Sequence, residues 1–421
     1  MEQDVIVVGG GAAGLMAAVT AAERGKRVLL LEKMDQAGRK LRITGKGRCN
    51  LTNTNPLRDT LPHIGSDARF LRNAYGRFFN QQLMDFFEQR GVALTVERGN
   101  RVYPASGKAL DIFLALMHEL EGNSNVTIRK NTTVKSIKVE NGQWKVESDA
   151  SASKAFSTMY FPLSTRIILA TGGLSYPTTG STGAGYRMAR ELGHTVVEPV
   201  PSLVALKCQE KIPEELIGFQ LKNVQLQVVD GASKKAMFKS GIGEMTFVQD
   251  GLAGPIVLSA SRIATRPLQS GQTLTARLDL KPGLTPEQLD RRLLSDIDQN
   301  GTRVFNDALR LWLPAELIPL ALPQLHIEYY KRLHQITGEE RRRLRDWLKG
   351  VEFTLTGTHD WNEAIVTQGG VALSEVNPKT MESRLVKGLY LVGELLDLDA
   401  DTGGYNLQIA FSTGHAAGEA I

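Results

Sequence analysis

The protein has 421 residues, with 50 basic and 45 acidic side chains and a net charge of +5 at pH 7. Apolar residues make up 42% and charged residues 23%, as in ordinary globular proteins. A net positive charge this small is usually spread over the surface, so we do not expect nucleic acid as a partner. Two cysteines cannot build a disulfide framework, so we expect a reducing, cytoplasmic location.

The chain opens with an uncharged run, residues 5–22, whose eighteen residues approach the length of a membrane span. Acidic residues precede the run and three consecutive glycines interrupt it, which argues against a signal peptide or a membrane segment. Residues 5–8 are all Val or Ile, which is typical of a strand buried on both faces. We therefore predict a buried strand, a turn and a helix, and no membrane partner.

Glycines with the spacing GxGxxG follow this strand, at Gly9, Gly11 and Gly14. A second apolar run, 28–31, comes after the helix, and Glu32 stands at its end. This is the complete βαβ dinucleotide-binding pattern, in which the helix N-terminus receives the phosphates and the acid receives the ribose hydroxyls. The carboxylate of Glu32 would repel a 2′-phosphate, which argues against NADP here.

The loop that follows, 38–50, favours FAD over NAD. It is basic and rich in glycine, whereas NAD dehydrogenases usually continue with another βα unit. Two further buried strands, 166–170 and 388–392, end in glycine, so we expect one sheet built from both ends of the chain. A last helix, opening at 401–408 and running through 417, would direct its N-terminus at the flavin. The alternative for segment 38–50 is a solvated basic loop, and the alternative for the last helix is an ordinary C-terminal helix that packs on the core.

Six segments together resemble the YhiN/BaiN-type family of bacterial FAD-dependent oxidoreductases. They are GRKLRITGKGRCNLTN (38–53), GNRVYPASGKA (99–109), ATGGLSYPTTGSTGAGYRMARELGH (170–194), GEMTFVQDGLAGP (243–255), VTQGGV (366–371) and NPKTMESRLVKGLYLVGELLDLDADTGGYNLQIAFSTG (377–414). The resemblance implies a discontinuous FAD domain with two inserted domains and a cytoplasmic redox enzyme. Gln249 departs from the histidine expected in many relatives, which would alter substrate choice if this position lines the site.

The predicted fold class is α/β, a Rossmann-like FAD-binding domain of the two-dinucleotide-fold type with an inserted antiparallel β domain and a small helical subdomain. The FAD domain comprises 1–195 and 356–421. Alternating apolar residues at 221–229 and 272–280 predict the β domain, 196–284 with 350–355. Capping boxes at Thr285 and Thr337 bracket the helical subdomain, 285–349.

The motifs predict which residues bind FAD. These are Gly9, Gly11, Ala12, Ala13, Gly14, Glu32, Lys33, Gly38, Arg39, Lys40, Thr44, Gly45, Gly47, Arg48, Cys49, Asn50, Val134, Ala170, Thr171, Gly172, Gly393, Glu394, Gly404, Tyr405, Asn406, Leu407 and Gln408. No spacing typical of a metal site stands out among the seven histidines.

Four residues are candidates for catalysis. Arg48 could position an anionic substrate or contact the pyrophosphate, and Cys49 could react, although a buried packing thiol is the simpler interpretation. Tyr176 and Tyr405 could donate a proton, or could simply stack or pack.

The sequence therefore predicts hydride transfer between non-covalently bound FAD and a small organic substrate. No second fingerprint follows a strand, so a dedicated NAD(P)H domain is not expected, while NAD(P)H as a transient donor stays open. One alternative is an amine oxidase that uses oxygen as acceptor. The other is an RNA-directed or non-catalytic flavoprotein that uses the basic helix 339–349, whose cations would otherwise form a solvated face.

Overall fold

The computed structural model describes residues 3–65, 67–140, 143–150, 158–160 and 164–421. The strands are β1 Val5–Val8, β2 Val28–Leu31, β3 Thr52–Asn53, β4 Leu94–Glu97, β5 Arg101–Pro104, β6 Val126–Arg129, β7 Thr132–Glu140, β8 Gln143–Ala150, β9 Thr158–Tyr160, β10 Ile167–Leu169, β11 Val196–Ser202, β12 Leu206–Cys208, β13 Gln220–Asp230, β14 Ala236–Lys239, β15 Gly243–Val248, β16 Gly251–Ala253, β17 Leu274–Asp279, β18 Val351–Thr358, β19 Val366–Val371 and β20 Leu389–Leu391. The helices are α1 Ala12–Glu23, α2 Arg39–Ile43, α3 Leu57–Thr60, α4 Arg72–Arg77, α5 Asn80–Glu88, α6 Ala109–Glu121, α7 Ala184–Glu191, α8 Pro255–Gln269, α9 Pro286–Gln299, α10 Phe305–Ala308, α11 Ile318–Leu325, α12 Gly338–Lys349 and α13 Gly403–Glu419. The chain divides into two compact units, Met1–Pro201 with Trp361–Ile421 and Ser202–Asp360.

The first unit contains a parallel five-stranded sheet with the order β20-β10-β1-β2-β6. Ile6 pairs with Ile167 on one side and with Leu29 on the other, and Ile167 pairs in turn with Leu389. The residues of β1, β2, β10 and β20 are all buried, as continuous apolar runs predict for a parallel sheet covered on both faces. The predicted sheet built from both ends of the chain is confirmed.

Helices α1 and α13 pack with their backbones in close approach. A Cβ at Gly414 would lie 2.3 Å from the Ala13 carbonyl oxygen, and one at Gly418 would lie 2.7 Å from that of Ala17. The two helices therefore run parallel, with Gly414 level with Ala13. At a rise of 1.5 Å per residue, the N-terminus of α13 projects about 15 Å beyond that of α1.

The second unit is an antiparallel sheet with the order β14-β13-β15-β16-β12-β18-β17, in which β13 also pairs with β17. This pairing, in which Leu226 lies opposite Leu278, closes the sheet into a barrel. The sequence predicted the strands β13, β17 and β18. It did not predict the closure of the sheet into a barrel or helix α8. Buried leucines of α9 and α12 belong to the same hydrophobic core as the barrel strands.

Both predicted capping boxes of the helical segment are present. The Thr285 hydroxyl accepts from Gln288 N and the Thr337 hydroxyl accepts from Glu340 N, each at 3.2 Å, and the Gln288 and Glu340 side chains accept the reciprocal bonds. These bonds satisfy N–H groups that a helix leaves unpaired in its first turn. The local sequence thus sets where α9 and α12 begin.

Candidate functional site

A cavity of about 690 Å³ lies within the first unit, along the carboxyl ends of the parallel strands. This is the edge at which open α/β sheets bind ligands. Most residues predicted to bind FAD line it: Gly9, Gly11, Ala12, Ala13, Glu32, Lys33, Gly38, Arg39, Lys40, Thr44, Gly45, Val134, Ala170, Thr171, Gly172, Gly393, Glu394, Asn406 and Leu407. Gly14, Gly47, Arg48, Cys49, Asn50, Gly404, Tyr405 and Gln408 lie outside the lining.

The three glycines of the fingerprint have different surroundings. A Cβ at Gly9 would lie 2.5 Å from the Ala170 carbonyl oxygen, and one at Gly14 would lie 1.9 Å from the Gly9 carbonyl oxygen. These two positions therefore require glycine for packing between strand and helix. A Cβ at Gly11, in contrast, would meet no protein atom within 4 Å. Gly11 thus leaves open the space in front of α1, whose first turn has no side-chain cap.

The Glu32 carboxylate is buried and faces backbone donors. Gly10 N donates to Oε2 and Met34 N donates to Oε1, each at 2.8 Å. Burial raises the pKa of Glu32 above its usual value, and these two N–H groups partly oppose that shift. A carboxylate can accept about four hydrogen bonds, so these contacts leave capacity for a ligand hydroxyl.

Part of the lining beside Glu32 was missed by the sequence analysis. Lys33 Nζ donates to the Thr182 hydroxyl at 2.9 Å, and the lining here includes Ser181, Thr132 and Thr133. The Gly180–Thr182 turn belongs to a glycine-rich motif, which was the available signal. Thr132 and Thr133 carry no comparable signal, because they reach the cavity through the pairing of β6 beside β2 and through the bond that Thr132 N donates to the Glu32 carbonyl oxygen.

On the other side of the cavity, Lys40 and Glu394 form an ion pair with an Nζ to Oε2 distance of 2.9 Å. Burial alone would raise the pKa of the Glu394 carboxyl, but the Lys40 ammonium and hydrogen bonds from Ser175 and Thr367 hold it below its usual value. Glu394 is therefore ionised at neutral pH. Both residues were predicted to be at the site, but their pairing was not.

The N-terminal turn of α13 also lines the cavity, through Gly403, Asn406 and Leu407. Its N-cap, Thr402, makes no side-chain cap hydrogen bond. The Asn406 amide instead clamps the preceding loop, because its nitrogen donates to the carbonyl oxygens of Ala400 and Thr402, both at 2.8 Å. A Cβ at Gly404 would lie 2.9 Å from the side-chain amide of Asn50, so Asn50 packs directly against this turn.

Three of the residues outside the lining are engaged elsewhere. Arg48 forms an ion pair with Glu97, and its guanidinium lies 4.4 Å from the centre of the Tyr103 ring. Tyr405 stacks on His63 at 4.7 Å, and its hydroxyl accepts from Asn55 Nδ2 at 2.8 Å. The buried Gln408 amide accepts from Thr52 and donates to Ser412. Their contacts with FAD remain predictions.

Tyr176 lines the cavity and has an unusual backbone conformation. Its φ is +49°, in the left-handed region that bulky residues rarely adopt. Tyr176 N donates to the Trp361 carbonyl oxygen at 3.0 Å, which helps to hold this conformation. Burial, with a smaller contribution from Glu363, raises the pKa of its hydroxyl, so Tyr176 keeps its proton at neutral pH.

Cys49 is completely buried, as the simpler interpretation of its sequence position predicted. Burial raises the pKa of its thiol to about 12, although a hydrogen bond with Thr44 opposes the shift. A thiol with this pKa is almost entirely protonated at neutral pH, and the thiolate is the reactive form. Cys49 therefore has the properties of a packing residue.

We expect iodoacetamide at pH 8 to leave Cys49 unmodified in the folded protein. Cys208, which is half-buried with a pKa raised by burial to about 11, should react slowly. Mass spectrometry of peptides alkylated before and after unfolding measures both; unfolded protein should carry two adducts. Rapid labelling of Cys49 in the folded state would contradict its burial and return it to the catalytic candidates.

The residues around the cavity fit an extended dinucleotide. The open space at Gly11 and the uncapped N–H groups of α1 suit phosphate, and Glu32 with spare acceptor capacity suits a ribose. The α13 N-terminus, about 15 Å further along, suits the distal ring system of such a ligand. Fold and site together define a Rossmann-type dinucleotide-binding protein whose binding unit is discontinuous in sequence.

Comparison with known proteins agrees with this class. The family described as HI0933-like protein Rossmann domain matches residues 3–420, and the chain belongs to this family. A 3-dehydro-bile acid delta(4,6)-reductase from Clostridium scindens is 32% identical over 416 residues, covering 98% of each chain. A ribosomal RNA dihydrouridine synthase from Escherichia coli is 28% identical, covering 99% of this chain and 97% of the relative.

Among solved structures, a quinol-fumarate reductase with menaquinol molecules is similar in fold, with a TM-score of 0.50 and 15% identity over 100% of this chain and 70% of that one. The protein is an FAD-dependent oxidoreductase, as the sequence predicted.

Among the described residues, none of the helices combines the length and the apolar composition that crossing a bilayer requires.

Proposed function

We propose that this flavoenzyme reduces a carbon–carbon double bond conjugated with a carbonyl group. The proposal depends mainly on one observation, the similarity over nearly the full length to two relatives with related names. One name describes a delta(4,6)-reductase of a 3-dehydro bile acid, the other a synthase of dihydrouridine. Both names describe the addition of two hydrogens to such a bond. A conjugated ketone of small-molecule size is the first candidate substrate.

The cavity lining would hold FAD as follows. The first turn of α1 would donate hydrogen bonds to the pyrophosphate, with the Cβ-free face of Gly11 admitting it closely. Glu32 would accept from the adenosine ribose, and the N-terminus of α13 would face the flavin. When bound, the flavin supplies a hydride for the β carbon of the substrate.

Reduction also requires a proton for the α carbon, and we propose Tyr176 as its donor. Tyr176 lines the cavity, and its hydroxyl keeps its proton at neutral pH because burial raises its pKa. Its left-handed backbone is the kind of strain that accumulates at functional sites. Tyr405 supports this role less well, since it lies outside the lining and is stacked on His63.

We further propose that electrons enter directly at the flavin, without a separate NAD(P)H domain. Gly183 and Gly185 do not form a second fingerprint: they stand at the start of α7, and Gly185 packs against Thr171, just beyond β10. A Cβ at Gly185 would lie 2.0 Å from the Thr171 hydroxyl. NADH or NADPH would then act as a transient donor.

Anaerobic spectroscopy tests the proposed function. NADH or NADPH should bleach the FAD-loaded protein, and a conjugated ketone added afterwards should restore the flavin absorbance with formation of the saturated ketone. The saturated ketone itself serves as the matched control and should restore nothing. Bleaching by primary amines, with peroxide released in air and no reoxidation by the conjugated ketone, would contradict the proposal and favour an amine oxidase.

Uridine in RNA is a second candidate substrate, favoured by the name of the Escherichia coli relative. The basic helix α12 gives this candidate little support, because four of its cations, Arg341, Arg343, Arg345 and Lys349, are paired with carboxylates. Arg341 contacts Asp290 at 3.1 Å and Lys349 contacts Asp279 at 2.6 Å. RNA containing uridine should restore the absorbance of the reduced protein if this candidate is correct, and binding should weaken steeply with salt.

A further inference from the structure

The Lys40–Glu394 pair is held by a small hydrogen-bonded network inside the cavity wall. Ser175, completely buried, accepts from Lys40 Nζ at 2.9 Å and donates to Glu394 Oε1 at 2.6 Å. Thr367 N donates to the same carboxylate oxygen at 2.8 Å. The side chains of Lys40 and Glu394 are only 23% and 18% exposed. The ammonium is therefore fixed at one place in the wall.

The order of the sheet assigns this network to one half of the cavity. Glu32 follows β2, which lies on one side of β1, whereas Glu394 follows β20, two strands away on the other side. At a strand spacing of about 4.8 Å, Glu394 lies about 10 Å across the sheet from β1. If the pyrophosphate binds at Gly11 and the ribose at Glu32, as proposed above, then Lys40 and Glu394 belong to the flavin half.

The charge of the network also suits the flavin ring better than the pyrophosphate. The Glu394 carboxylate, 2.9 Å from the Lys40 ammonium, offsets part of its attraction for anions, and this weighs more against a pyrophosphate than against a flavin ring that carries at most a single charge. An ammonium has three N–H donors. Within the described part of the chain, two of them go to Glu394 and Ser175, which leaves the third for a ligand in the cavity.

We propose that Lys40 donates this hydrogen bond to the flavin ring and stabilises its reduced form. Two electrons and one proton from a reductant leave a net charge of −1 on the ring, and a fixed ammonium nearby stabilises that charge. Ser175 and Glu394 act as positioning residues, and the Glu394 carboxylate offsets part of the effect. The midpoint potential of the bound flavin thus depends on the balance between these two opposite charges.

Midpoint potentials test this proposal without any substrate, by anaerobic equilibration of FAD-loaded variants with a reference dye. Lys40→Met should shift the redox equilibrium toward oxidised flavin at least tenfold, or about 30 mV for a two-electron couple. Glu394→Gln should shift it in the opposite direction, and Lys40→Arg should stay near the wild type. Lys108→Met removes an exposed cation that lies outside the cavity lining, and it should leave the potential unchanged.

Two results would overturn the proposal. Weaker FAD binding by Lys40→Met at an unchanged potential would indicate that Lys40 contacts the phosphates of FAD and not the flavin ring. Shifts of the same sign in Lys40→Met and Glu394→Gln would indicate a general loss of structure rather than opposing charges. Because dithionite or a dye replaces the substrate, opposite shifts would support the role of Lys40 even if no conjugated ketone is reduced.

Discussion

Replacing Gly11 by glutamate should reduce FAD affinity at least a hundredfold, or about 2.8 kcal/mol at about 1.4 kcal/mol for each factor of ten. The new carboxylate would occupy the space in front of α1, compete for its first-turn N–H groups and repel the pyrophosphate. Fluorescence titration of the FAD-free protein with FAD measures the loss.

The same substitution should leave the FAD-free fold intact. The φ of Gly11 is −81°, which any residue can adopt, and a Cβ there meets no protein atom within 4 Å. Thermal unfolding of the FAD-free protein should therefore match the wild type. Gly283→Glu adds the same charge at an open position in the other unit and should bind FAD normally. Wild-type FAD affinity in Gly11→Glu would show that the phosphates do not bind at the N-terminus of α1.

Gly14→Ala, unlike Gly11→Glu, should lower the stability of the FAD-free protein, because the added methyl group disturbs the packing of the fold. The added methyl would lie 1.9 Å from the Gly9 carbonyl oxygen and 3.1 Å from the Ala170 Cβ, so helix α1 would have to move away from the sheet. We expect a destabilisation of about 3 kcal/mol or more, at the upper end of overpacking effects. Urea unfolding of the FAD-free full-length protein, monitored by circular dichroism, measures the destabilisation.

Gly76→Ala is the matched control for this prediction. Gly76 lies in helix α4, and beyond the adjacent backbone of that helix a Cβ there meets no atom within 4 Å. Alanine should stabilise this helix by about 0.5–1 kcal/mol, since glycine is the poorer helix former. If Gly14→Ala unfolds at the same urea concentration as the wild type, the close packing of strand and helix is not what requires glycine at this position.

The site shows where sequence reasoning succeeds. Gly9, Gly11, Gly14 and Glu32 lie within one βαβ unit, and the spacing of such a unit is set by local geometry. The lengths of β1, α1 and β2 bring these residues together wherever the unit occurs. The N-terminus of α13 could be predicted for a similar reason, because a glycine-rich start before a small-residue helix is a local feature.

The network around Lys40 shows where it fails. Lys40 and Ser175 are 135 positions apart, and Ser175 and Glu394 are 219 positions apart. Each is an ordinary polar residue in its own segment, so no local pattern distinguishes a partner from a neighbour. Their hydrogen bonds exist only because β10 and β20 lie side by side in the parallel sheet.

The closure of the barrel in the second unit has the same origin. Alternating residues predict β13 and β17 as half-buried strands, but their pairing joins segments on either side of helix α8. The sequence alone determined the fingerprint, the capping boxes, the class of enzyme and seven of the strands, namely β1, β2, β10, β13, β17, β18 and β20, since these depend on short-range spacing or on motifs. Tertiary structure decided which polar side chains meet in the cavity and which cations are paired, because contacts between distant segments depend on the register and order of whole strands.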